Sequence, residues 1–263
     1  MYNSAIFTIY SIFKKKGVLA ILKFILVFLF FFLLFNILPR WKYYYVQKGS
    51  ALINEGKYEE GLALFEKGAY GSKTDYMTRI RYAFCELKFG ELKKAKKMIM
   101  WVLGEKTPAN VRYEAKSVFA IILYKEGELL EAKETMLSVY ENYKNTNMYC
   151  TLGYLFNILE TPENAVSFNK EAYEYNSDHD VIADNLGQSY YLSGNREKAL
   201  EVYEELIERE PRFPEAYYNF ALVLISEGDR IRAKEMLEKA LTKSFHKLTT
   251  VSKEEIENKL EQL

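Results

Sequence analysis

The amino-acid sequence predicts an all-α fold, in which one transmembrane helix precedes a solenoid of about six helix pairs that ends in a short capping helix. Glycines at positions 56, 90, 127, 194 and 228 punctuate helix-forming stretches at intervals of 34, 37, 67 and 34 residues, and 67 is close to two periods. A fixed period of this length is typical of stacked helical repeats. The second observation is that every residue from 24 to 35 is Phe, Ile, Leu or Val. The third is that the 263 residues, 49% of them apolar, contain no convincing strand pattern.

Residues 1–16 form a tail with two faces at helical spacing. Polar residues at positions 4, 8, 11 and 15 share one face, and apolar residues at 6, 9, 10 and 13 share the other. This pattern is typical of a helix in the membrane interface, although a frayed tail has the same composition. We expect Lys14, Lys15 and Lys16 at the membrane surface, with Trp41 at the opposite interface.

Residues 17–39 are predicted to cross a membrane. The stretch from Gly17 to Leu38 is interrupted only by Lys23 and Asn36. As a helix it is about 33 Å long, against a hydrocarbon core of about 30 Å. A cleaved signal peptide is the alternative, but residues 37–41 lack the small-residue cleavage pattern. Three consecutive lysines on a short tail favour an amino terminus on the inner, cytoplasmic side of the cell membrane, which places the solenoid outside the cytoplasm.

The repeat unit is clearest from Pro214 to Ser244. It resembles the tetratricopeptide repeat, whose pattern alternates aromatic and small residues at fixed positions. Seven of those positions are occupied by Tyr217, Phe220, Ala221, Leu224, Ala233, Leu237 and Ala240. The preceding unit, which starts at residue 180, matches at Leu186, Gly187, Tyr190, Ala199, Tyr203, Leu206 and Pro211. Weaker matches place further repeats near 42, 76, 113 and 146, so the predicted solenoid covers residues 42–245.

The resemblance implies a right-handed stack of antiparallel helix pairs, each too small to bury its apolar surface alone. Small side chains let the backbones approach, and the glycine after each first helix is expected to adopt a positive φ. Residues 251–263 are predicted to cover the open end of the stack as a capping helix. Ser252 and Glu255 have the spacing of a capping box at its start.

The resemblance also implies a ligand groove, because the first helix of each pair lines the concave face in this family. The residues at the exposed positions of those helices are Phe84, Ile121, Tyr124, Tyr154, Asn157, Asn185, Gln188, Tyr191, Tyr218, Asn219 and Leu222. This aromatic and amide-bearing face suits a protein or an extended peptide. For Asn185 and Asn219, a structural role within the repeat is equally compatible with the pattern.

Composition argues against chemistry of the chain's own. Two cysteines and two histidines leave little for a metal site or a cofactor, and we predict neither. Asp178, His179 and Asp180 adjoin in sequence, but they lie between two repeats, where aspartates are expected to cap the next helix. After residue 41 the chain has 31 basic and 36 acidic residues, a net charge of −5, which disfavours nucleic acid. No small-molecule substrate is predicted.

The sequence therefore predicts a membrane-anchored, non-catalytic scaffold whose partners are proteins or peptides and the lipid bilayer. A regulatory or assembly subunit, packed permanently on a membrane enzyme complex, is the alternative. Residues 42–110 hold 13 basic and 8 acidic residues, whereas residues 111–263 hold 18 and 28. The basic cluster at Lys93, Lys94, Lys96 and Lys97 could attract anionic lipid, although a solvated outer face has the same composition.

Overall fold

In the computed structural model, residues 23, 25–33, 40–71 and 74–263 are described, and the regular structure among them is entirely helical. From residue 40 onward the helices are α1 (Arg40–Asn54), α2 (Tyr58–Ala69), α3 (Tyr76–Phe89), α4 (Leu92–Gly104), α5 (Ala109–Glu126), α6 (Leu129–Tyr140), α7 (Thr146–Leu159), α8 (Pro162–Tyr175), α9 (Asp180–Leu192), α10 (Arg196–Glu208), α11 (Pro214–Ser226), α12 (Arg230–Leu241) and α13 (Lys253–Glu261). The prediction of an all-α fold is confirmed for these residues. The chain divides into a first unit, Met1–Thr74, and a second unit, Asp75–Leu263.

The predicted tail, with Lys14, Lys15 and Lys16, lies outside the described residues, and so does most of the predicted span. Residue 23 and residues 25–33 of that span are described and helical. Trp41 is part of α1, but its side chain also lies outside the described part. Within the described part of the chain, no helix has both the length and the apolar character needed to cross a bilayer.

In the first unit, α1 and α2 approach closely at two glycines. A Cβ atom on Gly49 would stand 2.7 Å from the Gly61 carbonyl oxygen, and one on Gly61 would stand 2.8 Å from that of Gly49. Only glycine allows the two backbones to come this near. Phe65 and Leu62 are buried beside this crossing, which gives the pair an apolar contact.

The second unit contains five helix pairs, α3/α4, α5/α6, α7/α8, α9/α10 and α11/α12, followed by α13. Each first helix (α3, α5, α7, α9, α11) packs against the first helix of the next pair. Consecutive second helices, within the described chain, lack packing of similar extent. Because the first helices are closer together, they form the inner layer, and we call their shared surface the inner face. The core between the layers is aromatic and aliphatic, with Tyr82, Tyr149, Tyr203, Tyr217 and Phe220 almost fully buried.

The turns within the pairs follow the predicted glycine rule with one exception. Gly127, Gly194 and Gly228 have φ angles of 88°, 79° and 82°, as predicted. The prediction is wrong for Gly90, whose φ is −116°. There the buried Glu86 carboxylate accepts a hydrogen bond from the Glu91 backbone N–H at 2.8 Å, so a side chain closes the turn in place of left-handed backbone.

The carboxy-terminal helix α13 begins at the predicted capping box. The Ser252 hydroxyl accepts from the Glu255 backbone N–H at 3.1 Å, and the Glu255 carboxylate accepts from the Ser252 N–H at 2.6 Å. Ile256 is fully buried in the core formed with α11 and α12. Arg230 donates to the Leu263 carbonyl at 2.8 Å, which ties the end of α13 to the start of α12.

Candidate functional site

The inner face is the candidate site, and the residues predicted for it are partly accessible with two exceptions. Phe84 on α3 is the most exposed, at 39%. Asn157 and Asn185 are buried, so their side chains are not available to a ligand. The others are half-buried, and they are Ile121, Tyr124, Tyr154, Gln188, Tyr191, Tyr218, Asn219 and Leu222. Half-burial fixes a ring while one edge stays free for contact.

Two tyrosines join neighbouring pairs on this face. The hydroxyls of Tyr124 on α5 and Tyr154 on α7 are 3.1 Å apart, and their rings meet edge to face at 5.5 Å between centroids. Burial raises the pKa of the Tyr154 phenol, and the hydrogen bond with Tyr124 raises this pKa further. The Tyr154 phenol therefore stays neutral and serves as a hydrogen-bonding group.

A second tyrosine pair lies toward the carboxy-terminal end, where Tyr191 on α9 and Tyr218 on α11 pack against the same core. Burial raises the pKa of Tyr218, and the nearby charge of Glu255 adds to the effect. The start of α13 therefore lies beside this end of the inner face.

The buried amides belong to a network inside the stack. Asn157 donates to the Asn185 carbonyl oxygen at 2.9 Å and to Gln188 Oε1 at 3.1 Å. Asn169 donates to the Ser189 hydroxyl at 2.8 Å, and Asn185 donates to a backbone carbonyl of α7. The network crosses from α7 and α8 to α9, and it explains why an asparagine stands at position 169, where the repeat pattern has an aromatic residue. Asn157 and Asn185 therefore hold repeats together.

Asp184 is a buried carboxyl group next to the inner face. Its Oδ1 accepts from the Tyr203 hydroxyl at 3.1 Å and from the Asn219 amide at 3.0 Å. Burial raises the pKa of Asp184 to about 7, the charge of Glu215 adds to this, and the two hydrogen bonds oppose it. The amide of Asn219 is therefore bound to Asp184, so the Asn219 side chain has a structural role.

A segment of the chain itself contacts two of the inner helices. Residues 243–252, which we call the connector, join α12 to α13. The Lys247 backbone N–H donates to the Lys88 carbonyl oxygen at the end of α3, at 3.0 Å. The Thr250 backbone N–H donates to Glu215 Oε1 on α11, at 2.6 Å. The connector thus touches the first and the last inner helices of the second unit.

Sequence reasoning missed the connector and two of the groups beside it. Glu215 and Asp184 stand at positions 2 and 5 of their repeats, and both positions face the groove in the family pattern. These positions in the family pattern could have identified Glu215 and Asp184 as residues beside the inner face. For the connector there was no such signal, because it lies outside the repeat pattern.

The two cysteines and the basic cluster on α4 are further candidates for reactive or binding groups. Burial raises the pKa of Cys150 to about 12 and also raises that of Cys85, so neither thiol is a thiolate nucleophile near neutral pH. The Cys150 sulfur contacts His179 Nδ1 at 3.4 Å. In the described ranges no group of three or more His, Cys, Asp or Glu side chains is placed to hold a metal ion. The basic cluster on α4 is partly paired, since Lys96 binds Glu126 at 2.8 Å.

Two sequence models of tetratricopeptide repeats match this chain. The one described as "TPR repeat" matches residues 187–228, and the one described as "Tetratricopeptide repeat" matches residues 43–70. No curated protein matches the sequence.

Solved structures extend the likeness to most of the chain. A tetratricopeptide repeat protein from Parabacteroides merdae superposes with a TM-score of 0.65 at 15% identity, over 85% of this chain and 84% of that one. The Cut9–Hcn1 hetero-tetramer of the APC/C gives 0.68 at 14% identity, over 88% and 44%. The pilF protein of Pseudomonas aeruginosa gives 0.58 at 15% identity, over 84% and 97%. The chain therefore contains tetratricopeptide repeats, and its all-α fold is that of a solved tetratricopeptide repeat protein.

Proposed function

We propose that this protein is a non-catalytic scaffold that binds proteins or extended peptides on the inner face of its second unit. The observation that carries the proposal is the row of half-buried aromatic side chains on successive inner helices. Aromatic groups of this kind supply large contact area at low cost in conformational entropy, and they are enriched at the energetic centres of interfaces. The same fold is present in the Cut9–Hcn1 hetero-tetramer, so it is compatible with protein assembly.

The geometry also supports peptide binding by its polar groups. Hydroxyl and amide groups lie between the aromatic rings, for example at Tyr154, which is hydrogen-bonded to Tyr124, and at Gln188, whose Oε1 accepts from Asn157. An extended peptide exposes unpaired N–H and C=O groups along its length, so a groove that offers both apolar contact and hydrogen-bonding partners matches it.

A selection from a displayed random peptide library tests this proposal. Full-length wild-type protein is expected to enrich peptides that the variant Tyr191→Ala/Tyr218→Ala does not retain, because that variant loses two aromatic contacts of the inner face. Circular dichroism and thermal melting verify that the variant is folded. Equal retention by the variant and the wild type contradicts the proposed site.

A matched control lies on the outer layer. Met100 on α4 is 51% exposed, so Met100→Ala removes a large apolar side chain from a second helix. We expect it to retain the selected peptides like the wild type. If Met100→Ala and the tyrosine variant lose binding equally, the contact is on another surface.

We further propose that residues 17–39 anchor the scaffold to the cell membrane, with the amino terminus inside. The support is the sequence, together with the exposure of the apolar side chains from Ile25 to Leu33, each between 46% and 61%. Exposing this apolar surface to water costs free energy, whereas its contact with lipid is favourable. Retention in the membrane pellet after alkaline carbonate extraction, and protease digestion of the repeats from outside intact cells, are the expected results. Release by carbonate contradicts the anchor, and protection from protease contradicts the orientation.

A further inference from the structure

The connector makes contacts at both ends of the inner face, and those contacts have the form of a bound peptide. At one end, the Lys247 backbone N–H donates to the Lys88 carbonyl oxygen, and its ammonium group donates to the Gly90 carbonyl oxygen. The rings of His246 and Phe89 meet edge to face with centroids 6.0 Å apart. Residue 247 lies 157 positions from residue 90, so the segment has returned to the first helix pair of its unit.

The other end of the connector is held on the last inner helix. The Thr250 N–H and hydroxyl both donate to Glu215 Oε1, at 2.6 and 3.3 Å. The Thr250 side chain also lies near the Tyr154 phenol on α7. Val251 is buried in the carboxy-terminal core, and Phe245 packs against the same core.

A turn that begins at His246 gives the connector its shape. The Thr249 N–H donates to the His246 carbonyl oxygen at 2.9 Å, and the Leu248 N–H donates to His246 Nδ1 at 3.2 Å. Burial lowers the pKa of His246 to about 4, and the charge of Lys88 contributes in the same direction. The ring is therefore neutral, with Nδ1 as an acceptor, and the turn is intact at neutral pH.

The groove supplies acceptors at both of these ends. The last carbonyl groups of α3 have no partner within their helix and carry its partial negative charge. Glu215 adds a carboxylate. A ligand that satisfies both ends needs a cationic side chain, free backbone N–H groups and a donor hydroxyl. In the connector these donors come from Lys247 and Thr250, which are three positions apart in the sequence.

We propose that residues 245–251 are an internal mimic of the ligand, and that the partner is a peptide with Lys or Arg followed three positions later by Thr or Ser, which adopts the same turn and binds by displacing the connector. This inference rests on the proposed function and names both the peptide class and its regulation. The displacement is feasible because Lys247 and Thr250 are exposed and the contacts are hydrogen bonds at the surface.

The test uses full-length protein and a fluorescent synthetic peptide with the sequence of residues 243–252. In the wild type the tethered connector competes at a high effective concentration, so the peptide binds weakly. In Lys247→Ala/Thr250→Ala the tethered copy loses its anchors, and we expect the peptide to bind at least tenfold more tightly. Lys259→Ala, which removes a lysine of α13, is the charge-matched control and should behave like the wild type.

Hydrogen exchange gives a second readout that needs no ligand. The amides of Lys247 and Thr250 are expected to be protected in the free wild-type protein, and the peptide in excess should remove that protection. Glu215→Ala removes the acceptor and should therefore remove the protection of the Thr250 amide while leaving that of Lys247. A rapid exchange of both amides in the wild type overturns the docked connector.

The outcomes separate this inference from the proposed function. If the peptide binds the wild type and the released variant with equal affinity, the connector is not a competitor, while loss of binding in Tyr191→Ala/Tyr218→Ala would still place the scaffold site on the inner face. If the peptide binds neither protein, the mimic is refuted, and the library selection decides the scaffold function alone. Selected peptides without the basic and hydroxyl residues at this spacing also refute it.

Discussion

The buried carboxyl group of Asp184 makes a prediction that the structure allows to be worked out in magnitude. Its pKa is about 7 in the folded protein, against 3.8 for an unperturbed aspartate. Folded protein therefore binds this proton more firmly than unfolded protein, and the free energy of unfolding falls as pH rises from about 4 to about 7. Above pH 7 both states have lost the proton, so this contribution becomes constant.

The substitution Asp184→Asn removes the titration and keeps the contacts. Both hydrogen bonds to this side chain end on Oδ1, and an asparagine Oδ1 can accept them from Tyr203 and Asn219 in the same way. Each pH unit between the two pKa values is worth about 1.4 kcal/mol. From pH 5 to pH 8 the variant should therefore gain about 3 kcal/mol of stability relative to the wild type, because two of those units lie below pH 7.

Urea unfolding of both proteins at several pH values, followed by circular dichroism, measures this difference. Glu201→Gln removes an exposed carboxylate of α10 and should change the stability equally at every pH. Parallel curves for Asp184→Asn and the wild type would show that the folded carboxyl group has an ordinary pKa. A variant that loses stability relative to the wild type as the pH rises would show that the folded protein favours the charged carboxylate.

Three further substitutions, the first with a matched control, test packing, buried hydrogen bonding and helix capping. Gly153→Ala places a Cβ atom 2.2 Å from Asn169 Oδ1, so it should lower the free energy of unfolding in urea by about 1–3 kcal/mol. The control is Gly104→Ala, whose Cβ atom meets nothing within 4 Å. It should leave stability unchanged or raise it by up to about 1 kcal/mol. Asn169→Leu removes a buried donor from the amide network and should cost at least about 1–3 kcal/mol by the same assay. Ser252→Ala breaks the capping box and should cost about 1 kcal/mol, visible as a melting point lower by about 2–4 °C in scanning calorimetry. Unchanged stability in any of the destabilising variants would contradict the corresponding contact.

The helices and the turns could be predicted because the sequence repeats its local rules. Gly127, Gly194 and Gly228 end first helices with the predicted backbone, since a residue at this point needs a positive φ that only glycine adopts without strain. Gly90 occupies the same place in the pattern but not the same conformation. A buried Glu86 side chain closes that turn, and a pattern defined on small and aromatic positions contains no information about a buried carboxylate.

The polar interior was beyond the pattern for a similar reason. Position 24 of the unit that starts at residue 146 is Asn169, which the sequence identifies only as a departure from an aromatic consensus. The structure shows three partners for its amide nitrogen, contributed by α7 and α9. Such a network needs several departures that compensate one another in space, and a single sequence does not reveal which departures belong together. The binding role of the accessible inner-face residues stays a prediction.

The connector shows where repeat periodicity stops being informative. In a stack of repeats, contacts join residues about one period apart, and this is how the Lys133–Glu160 and Tyr124–Tyr154 pairs arise. A segment outside the repeats is free of that constraint, and its contacts join residue 247 to residue 88 and residue 250 to residue 215. The repeats therefore determine that a groove exists, whereas a short non-repeating segment determines what fills it. The acceptors that hold the connector are the carbonyl groups at the carboxy terminus of α3 and the carboxylate of Glu215. A ligand that replaces the connector therefore has to bring the same donors.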